Sequence, residues 1–286
     1  MTAASRQRGW RLTVNGATIA GTEQGPEHAP VVVLLHGLAS TSRWWDPVAA
    51  RLATRHRVVR YDHRGHGRSS APLHGYTVDG LAADAIDILD RLGLTHVVLA
   101  GHSLGAAVAL TAAATRPDLI AGLACVDGGV YDPAGMFGDT WRQAGAVMVR
   151  ARRGRTTLPV LRAWLAGTGL PVELLPIVVA NYTAHGGQLR LRLDPTHEAR
   201  LAYSLWTQRP AALLPAVRAP VHLIAAHYGD ERYDRPRRES IRRARDLVGD
   251  RLHTRWVRGG HDLPLQRPAA VTAALTDIAT SAESLV

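Results

Sequence analysis

The sequence predicts an α/β protein: a doubly wound, mostly parallel sheet with helices on both faces. Three observations predict it. Short apolar runs alternate with stretches of helical periodicity along most of the chain. Several of those runs, Val31–Leu35 and Ile120–Val126 among them, are apolar without interruption, as strands buried on both faces are. One run, Val97–Ala100, meets Gly101-His102-Ser103-Leu104-Gly105 and passes at once into an alanine-rich helical stretch.

Taken in order, Trp10–Val14 and Ala17–Gly21 flank Asn15-Gly16, a two-residue hairpin signal. Val31–Leu35 is a strand ending in His36-Gly37-Leu38, and Ser42–Ala53 is a helix. Arg57–Tyr61 is a strand that runs into the turn-rich Asp62–Ser69. Thr77–Leu92 places Val78, Leu81, Ala82, Ala85, Leu89 and Leu92 on one helical face, and Gly93 stops it. His96–Gly101 is a strand, Leu104–Arg116 a helix, and Ile120–Val126 a strand ending at Asp127-Gly128-Gly129. The rhythm breaks between residues 130 and 215, where Trp141, Trp164 and Trp206 stand among prolines and strand-like runs are scarce. It resumes with strand Val221–Ala226, helix Pro236–Val248, strand His253–Val257, the loop Gly259–Asp262 and helix Pro268–Ser281.

With 286 residues, 46% of them hydrophobic, the chain suits one large domain or one domain carrying an insertion. The net charge is +10, and every basic residue outside the histidines is arginine. Basic runs lie at Arg150–Arg155 and Arg235–Arg245. No nucleic-acid motif accompanies them, so solvated helix faces are expected and no nucleic-acid partner. The single cysteine, Cys125, excludes an internal disulfide framework and sits in an apolar run as a buried thiol. No secretory signal is visible, and the apolar runs are too short for a membrane span. A soluble cytoplasmic protein is expected.

In a parallel sheet, functional groups collect beyond the carboxyl ends of the strands. Those ends carry His36-Gly37-Leu38, Asp62, Ser103, Asp127, Asp230 and His261. A strand turning sharply into a helix holds Ser103 at the tip, and Gly101 and Gly105 remove side chains where the two crowd. A serine hydroxyl needs a base, a group to orient that base, and donors for an oxyanion. His261, in a Gly-Gly loop after a strand, is the expected base. His102 within the elbow is expected to be packed and hydrogen-bonded. Asp230 is the expected acid, because it keeps a Ser–Asp–His chain order; Asp234 and Asp127 stay open as alternatives. The backbone N–H groups of Leu38 and Leu104 are the expected oxyanion donors.

These motifs resemble the α/β-hydrolase superfamily from about Trp10 to Ile278. The residues that carry the resemblance are His36-Gly37, Asp62-x-Arg64-Gly65-x-Gly67-x-Ser69, Gly101-His102-Ser103-Leu104-Gly105 and Gly260-His261. The resemblance implies a Ser103–Asp230–His261 triad. It also implies a core of residues 1–129 and 216–286 and a helical cap, residues 130–215, over the pocket. The chain departs in one respect: Ala226 stands where glycine is frequent, with the acid one residue sooner. Epoxide hydrolases and haloalkane dehalogenases of this fold have aspartate at the elbow, and dienelactone hydrolases cysteine. Nor is the elbow the Gly-Asn-Ser-Met-Gly-Gly of C–C bond hydrolases, and type II thioesterase signatures are missing. What remains resembles esterases, lipases and lactonases, which need no cofactor or metal. The expected substrate is a small apolar or aromatic acyl compound, with Trp44, Trp45, Trp141, Trp164 and Trp206 as pocket candidates. The alternatives are the same triad turned to C–C or thioester hydrolysis or cyclisation, and a non-catalytic ligand-binding or signalling protein.

Overall fold

The computed structural model of the chain describes residues 7–149 and 155–283. Eight strands form the main sheet: β1 (Arg8–Val14), β2 (Ala17–Gln24), β3 (Val31–Leu35), β4 (Arg57–Tyr61), β5 (Val97–His102), β6 (Ile120–Val126), β10 (Val221–His227) and β11 (Leu252–Arg258). Their order across the sheet is β1-β2-β4-β3-β5-β6-β10-β11. Only the β1–β2 and β2–β4 pairings are antiparallel; the other five are parallel. The β1–β2 hairpin turns on Asn15 and Gly16, whose φ angles of 44° and 75° suit the right-handed twist of the paired strands.

The period of two along each strand splits the core into two layers. Val33 and Leu35 of β3 face α2 (Val78–Arg91) and α3 (Leu104–Thr115), within one cluster. Val32 and Leu34 face α1 (Asp46–Leu52) and α11 (Pro268–Glu283), within the other. Helix α2 is amphipathic and capped by Thr77, whose hydroxyl accepts the Gly80 N–H. Helix α3 is buried on nearly every side, which its alanines permit. Helix α10 (Glu231–Val248) begins earlier than the predicted Pro236, and that proline lies inside it. Asp230 caps it by accepting the Arg232 N–H. Pro236 is the sixth residue of the helix, past the four N–H groups that have no partner within it, so it forfeits one ladder bond, to the Arg232 carbonyl.

Between β6 and β10 the chain forms α4 (Pro133–Phe137), α5 (Trp141–Met148), α6 (Leu158–Gly167), α7 (Leu175–Val179), α8 (Pro195–Thr207) and α9 (Pro210–Leu213). The segment is not purely helical as expected. It also holds a small antiparallel sheet of β7 (Arg155–Thr156), β9 (Gln188–Leu191) and β8 (Tyr182–His185), in that order. Gly186 and Gly187, at φ 56° and 75°, make the tight β8–β9 turn. A third apolar cluster joins Leu161, Leu165, Ile177 and Val178 of this segment to Trp44 and Leu265. Of the basic run Arg150–Arg155, residues 150–154 lie outside those described. Among the described residues, no helix is long and apolar enough to cross a membrane.

Candidate active site

Ser103 stands between β5 and α3 at φ 56° and ψ −119°, a conformation that costs a non-glycine residue on the order of 1–3 kcal/mol. Its surroundings hold it there. A Cβ on Gly101 would lie 2.0 Å from the Gly105 carbonyl oxygen, and one on Gly105 2.3 Å from that of Leu35. A Cβ on Gly128 would lie 2.9 Å from Ser103 Cα, so the turn after β6 presses directly on the elbow. Leu104 is the first residue of α3, where N–H groups have no partner within the helix. The loop carrying Leu38 passes on the other side, close enough that a Cβ on Gly37 would lie 3.3 Å from Ser103 Cβ.

His261, beyond β11, reaches back over β10 to this point. Its Nε2 lies 2.8 Å from Ser103 Oγ, and its Nδ1 lies 2.8 Å from Asp127 Oδ2. The acid against His261 is therefore Asp127, not Asp230. β6 and β10 both lie between β5 and β11, so the strand order admits a carboxylate from either; Asp127 follows β6 directly, at the strand end beside the serine. Asp230 lies instead past the end of β10, at the start of α10, with Arg232 Nη2 2.6 Å from its Oδ2. Asp234 accepts the Tyr228 and Gly229 N–H groups at 3.0 Å each and faces His227 Nδ1 at 2.8 Å.

Asp127 is buried to 2% exposure and richly partnered. Oδ1 accepts from the Ala226 N–H at 3.1 Å, the Tyr131 hydroxyl at 3.2 Å and Arg237 Nε at 3.3 Å. Arg237 Nη2 lies 3.4 Å from Oδ2, and the guanidinium sits between the Tyr131 and Tyr228 rings, 5.4 and 4.5 Å from their centroids. Burial alone would raise the carboxyl pKa, but His261 and Arg237 outweigh it and hold Asp127 at about 2. Desolvation likewise favours a neutral His261, yet the bond and charge of Asp127 prevail and raise its pKa above the usual 6.5. Arg237 belongs to the basic run expected on a solvated helix face, but it is buried at 5% exposure against Asp127. The signal for Arg237 was its place on the face of α10 shared with Ile241, Ala244 and Val248, a charge on a buried stripe.

The His102 ring lies beside that of His261, with centroids 4.8 Å apart. Its Nε2 donates to the His261 carbonyl oxygen at 2.8 Å, fixing the loop that carries that ring. Burial and the neighbouring His261 lower its pKa to about 4. His36, His63 and His66 pack together beneath the 37–40 loop, with ring centroids 4.4 to 6.1 Å apart. His36 Nε2 accepts the His63 N–H, and His66 Nε2 accepts that of Ala39. Asp62 accepts the Ser42 N–H at 2.8 Å and the Arg68 N–H at 2.9 Å, tying the Asp62–Ser69 turn to the same loop. Cys125 is buried, its thiol pushed up to about 12.

A cavity of about 470 Å³ opens above Ser103 and His261. Its floor is the strand-end loop from Gly37 to Trp44, and its roof comes from the segment between β6 and β10. Of the five tryptophans proposed for it, Trp44 and Trp164 line it. Trp45 is wholly buried against α1 and the sheet. Trp141 meets Tyr203 edge-on and Trp206 meets both at a tilt, between α5 and α8, with centroids 5.2 to 5.9 Å apart. Their role is packing, as their helical spacing also allows. Among the described residues, no group of three or more His, Cys, Asp or Glu side chains is placed to hold a metal ion.

Comparison with known proteins agrees with this architecture. A family model described as the alpha/beta hydrolase fold matches residues 30–157. A 2-(acetamidomethylene)succinate hydrolase of Mesorhizobium japonicum is 35% identical over 117 residues, 41% of each chain. The alignment thus spans about two fifths of that relative's length. The crystal structure of E-2-(acetamidomethylene)succinate hydrolase superposes with a TM-score of 0.81 at 24% identity, covering 96% of this chain and 99% of the other. The enol-lactonase from Burkholderia xenovorans LB400 superposes with a TM-score of 0.69 at 20% identity, covering 95% and 100%.

Proposed function

We propose that the chain, which has the α/β-hydrolase fold, is a serine hydrolase of that superfamily cleaving a carboxylic ester or lactone through Ser103, His261 and Asp127. One observation carries the reading: the unbroken line from Asp127 Oδ2 through the His261 ring to Ser103 Oγ, with both contacts at 2.8 Å. In this reading, His261 takes the Ser103 proton as Oγ attacks the substrate carbonyl. The N–H groups of Leu38 and Leu104 hold the tetrahedral oxyanion. His261 then gives its proton to the leaving alcohol, and a water molecule enters to release the acyl group by the same steps. Asp127 stays ionised throughout, as its low pKa requires. Residues 130–215 act as the cap, which excludes water and shapes the acyl pocket.

Short p-nitrophenyl esters and a fluorophosphonate probe test the proposal together. We expect turnover and covalent labelling in the wild type, and loss of about 10⁴ or more in kcat with no labelling in Ser103→Ala. Labelling without ester turnover would move the chain to thioester, C–C or cyclisation chemistry by the same triad. Neither labelling nor turnover would leave a ligand-binding role.

A further inference from the structure

We infer that Asn181 is a specificity-determining residue, and that the acyl part of the substrate carries an uncharged group able both to donate and to accept a hydrogen bond, a hydroxyl or a secondary amide. The inference rests on the reading of Ser103 as nucleophile, because it concerns what occupies the cavity above it.

Asn181 links α7 to β8 and lines that cavity at 7% exposure. Its backbone is pinned at both groups: the N–H donates to Val178 O at 3.1 Å, and the carbonyl accepts the Arg192 N–H at 2.9 Å. The side chain is therefore delivered to a fixed place. Yet its Oδ1 is buried with no hydrogen-bond partner. Around it the wall is apolar, built from Leu161, Val178 and Leu191. A buried amide without a partner is costly, and a leucine there would remove the cost.

Two further atoms repeat the pattern from the floor. Ser40 Oγ and Trp44 Nε1 are buried without partners, and both residues line the same cavity. Trp44 Nε1 can only donate, so it calls for an acceptor; Asn181 Oδ1 can only accept, so it calls for a donor. A plain methylene chain answers neither. A hydroxyl or a secondary amide answers both. Charge argues against an anionic group, since Asp262 lines the cavity and, among the described residues, no arginine does.

The test uses the p-nitrophenyl esters of butanoic acid, 3-hydroxybutanoic acid and N-acetyl-β-alanine. The wild type is expected to favour at least one substituted ester over butanoate by about tenfold in kcat/KM. In Asn181→Leu that ratio is expected to fall to about one, and the ester that responds identifies hydroxyl or amide. Preference for butanoate in the wild type, or an unchanged ratio in Asn181→Leu, would overturn the inference. The methyl esters of the same acids, bound to Ser103→Ala and read by tryptophan fluorescence, separate the two claims. If no ester turns over but the same ranking appears in binding and vanishes in Ser103→Ala/Asn181→Leu, the hydrolase reading fails and the role of Asn181 stands. No turnover together with no ranking in binding removes both, and equal turnover of the three esters removes only the role of Asn181. Melting temperatures of the Asn181 variants show that any loss is not unfolding.

Discussion

Asp127 and Asp230 make opposite predictions under the same substitution. Asp127→Asn keeps the shape of the side chain but leaves His261 without an anion to fix its tautomer, and we expect kcat to fall by about 10⁴. Asp230→Asn removes an exposed partner of Arg232 and should leave kcat within about twofold. The pH profile carries a second signature. His261 must be neutral to accept a proton, so activity rises with pH through its pKa, which lies above 6.5. Asp127 raises that pKa, so its loss moves the rising limb to lower pH. Arg237 lowers it, so Arg237→Gln moves the limb to higher pH. Profiles of kcat/KM against pH for the two variants check both signs, and a shift in the same direction would contradict the pairing.

At the scale of elements, α10 does more than cover the sheet. It brings Arg237 to the inner side of Asp127, and breaking a buried pair of this kind costs about 3–5 kcal/mol. Arg237→Gln should therefore lower the midpoint of urea unfolding with little change in slope. The layered core was legible in the sequence because its central strands β3, β5 and β6 are almost wholly free of charged residues and helix α2 is apolar at every third or fourth position. The elbow was legible because steric crowding dictates glycine at Gly101 and Gly105. The acid was not legible. Asp127 and Asp230 both follow strands that lie between β5 and β11, and only the local geometry past each strand end, where Asp127 comes directly after β6 and Asp230 caps α10, decides which meets His261. The small sheet of β7, β8 and β9 was missed because its strands are only two to four residues long. Gly186-Gly187 was its one clear mark.

The whole molecule is expected to lose stability as pH falls, for two reasons. The pKa values of His36 and His63 are lowered well below 6.5, chiefly by burial. The unfolded chain binds those protons and the native one does not, so stability present above pH 6.5 is lost as pH falls below it. Asp127 adds a later loss, between its unfolded value near 3.8 and about 2, on the order of 2 kcal/mol. Melting temperature followed from pH 8 to 4 should fall, and His63→Gln, which keeps a donor toward His36 O, should flatten the slope. The stems of the inserted segment matter to how ligands enter. At one stem Tyr131 is bonded to Asp127, and at the other Gln208 is bonded to Ala107 O and Thr111 Oγ1 on α3. Both gateposts are thus bolted to the same frame as the serine. A roof anchored at each end favours a rigid mould over a swinging door, so guests are sorted by contour at the threshold before any bond is cut.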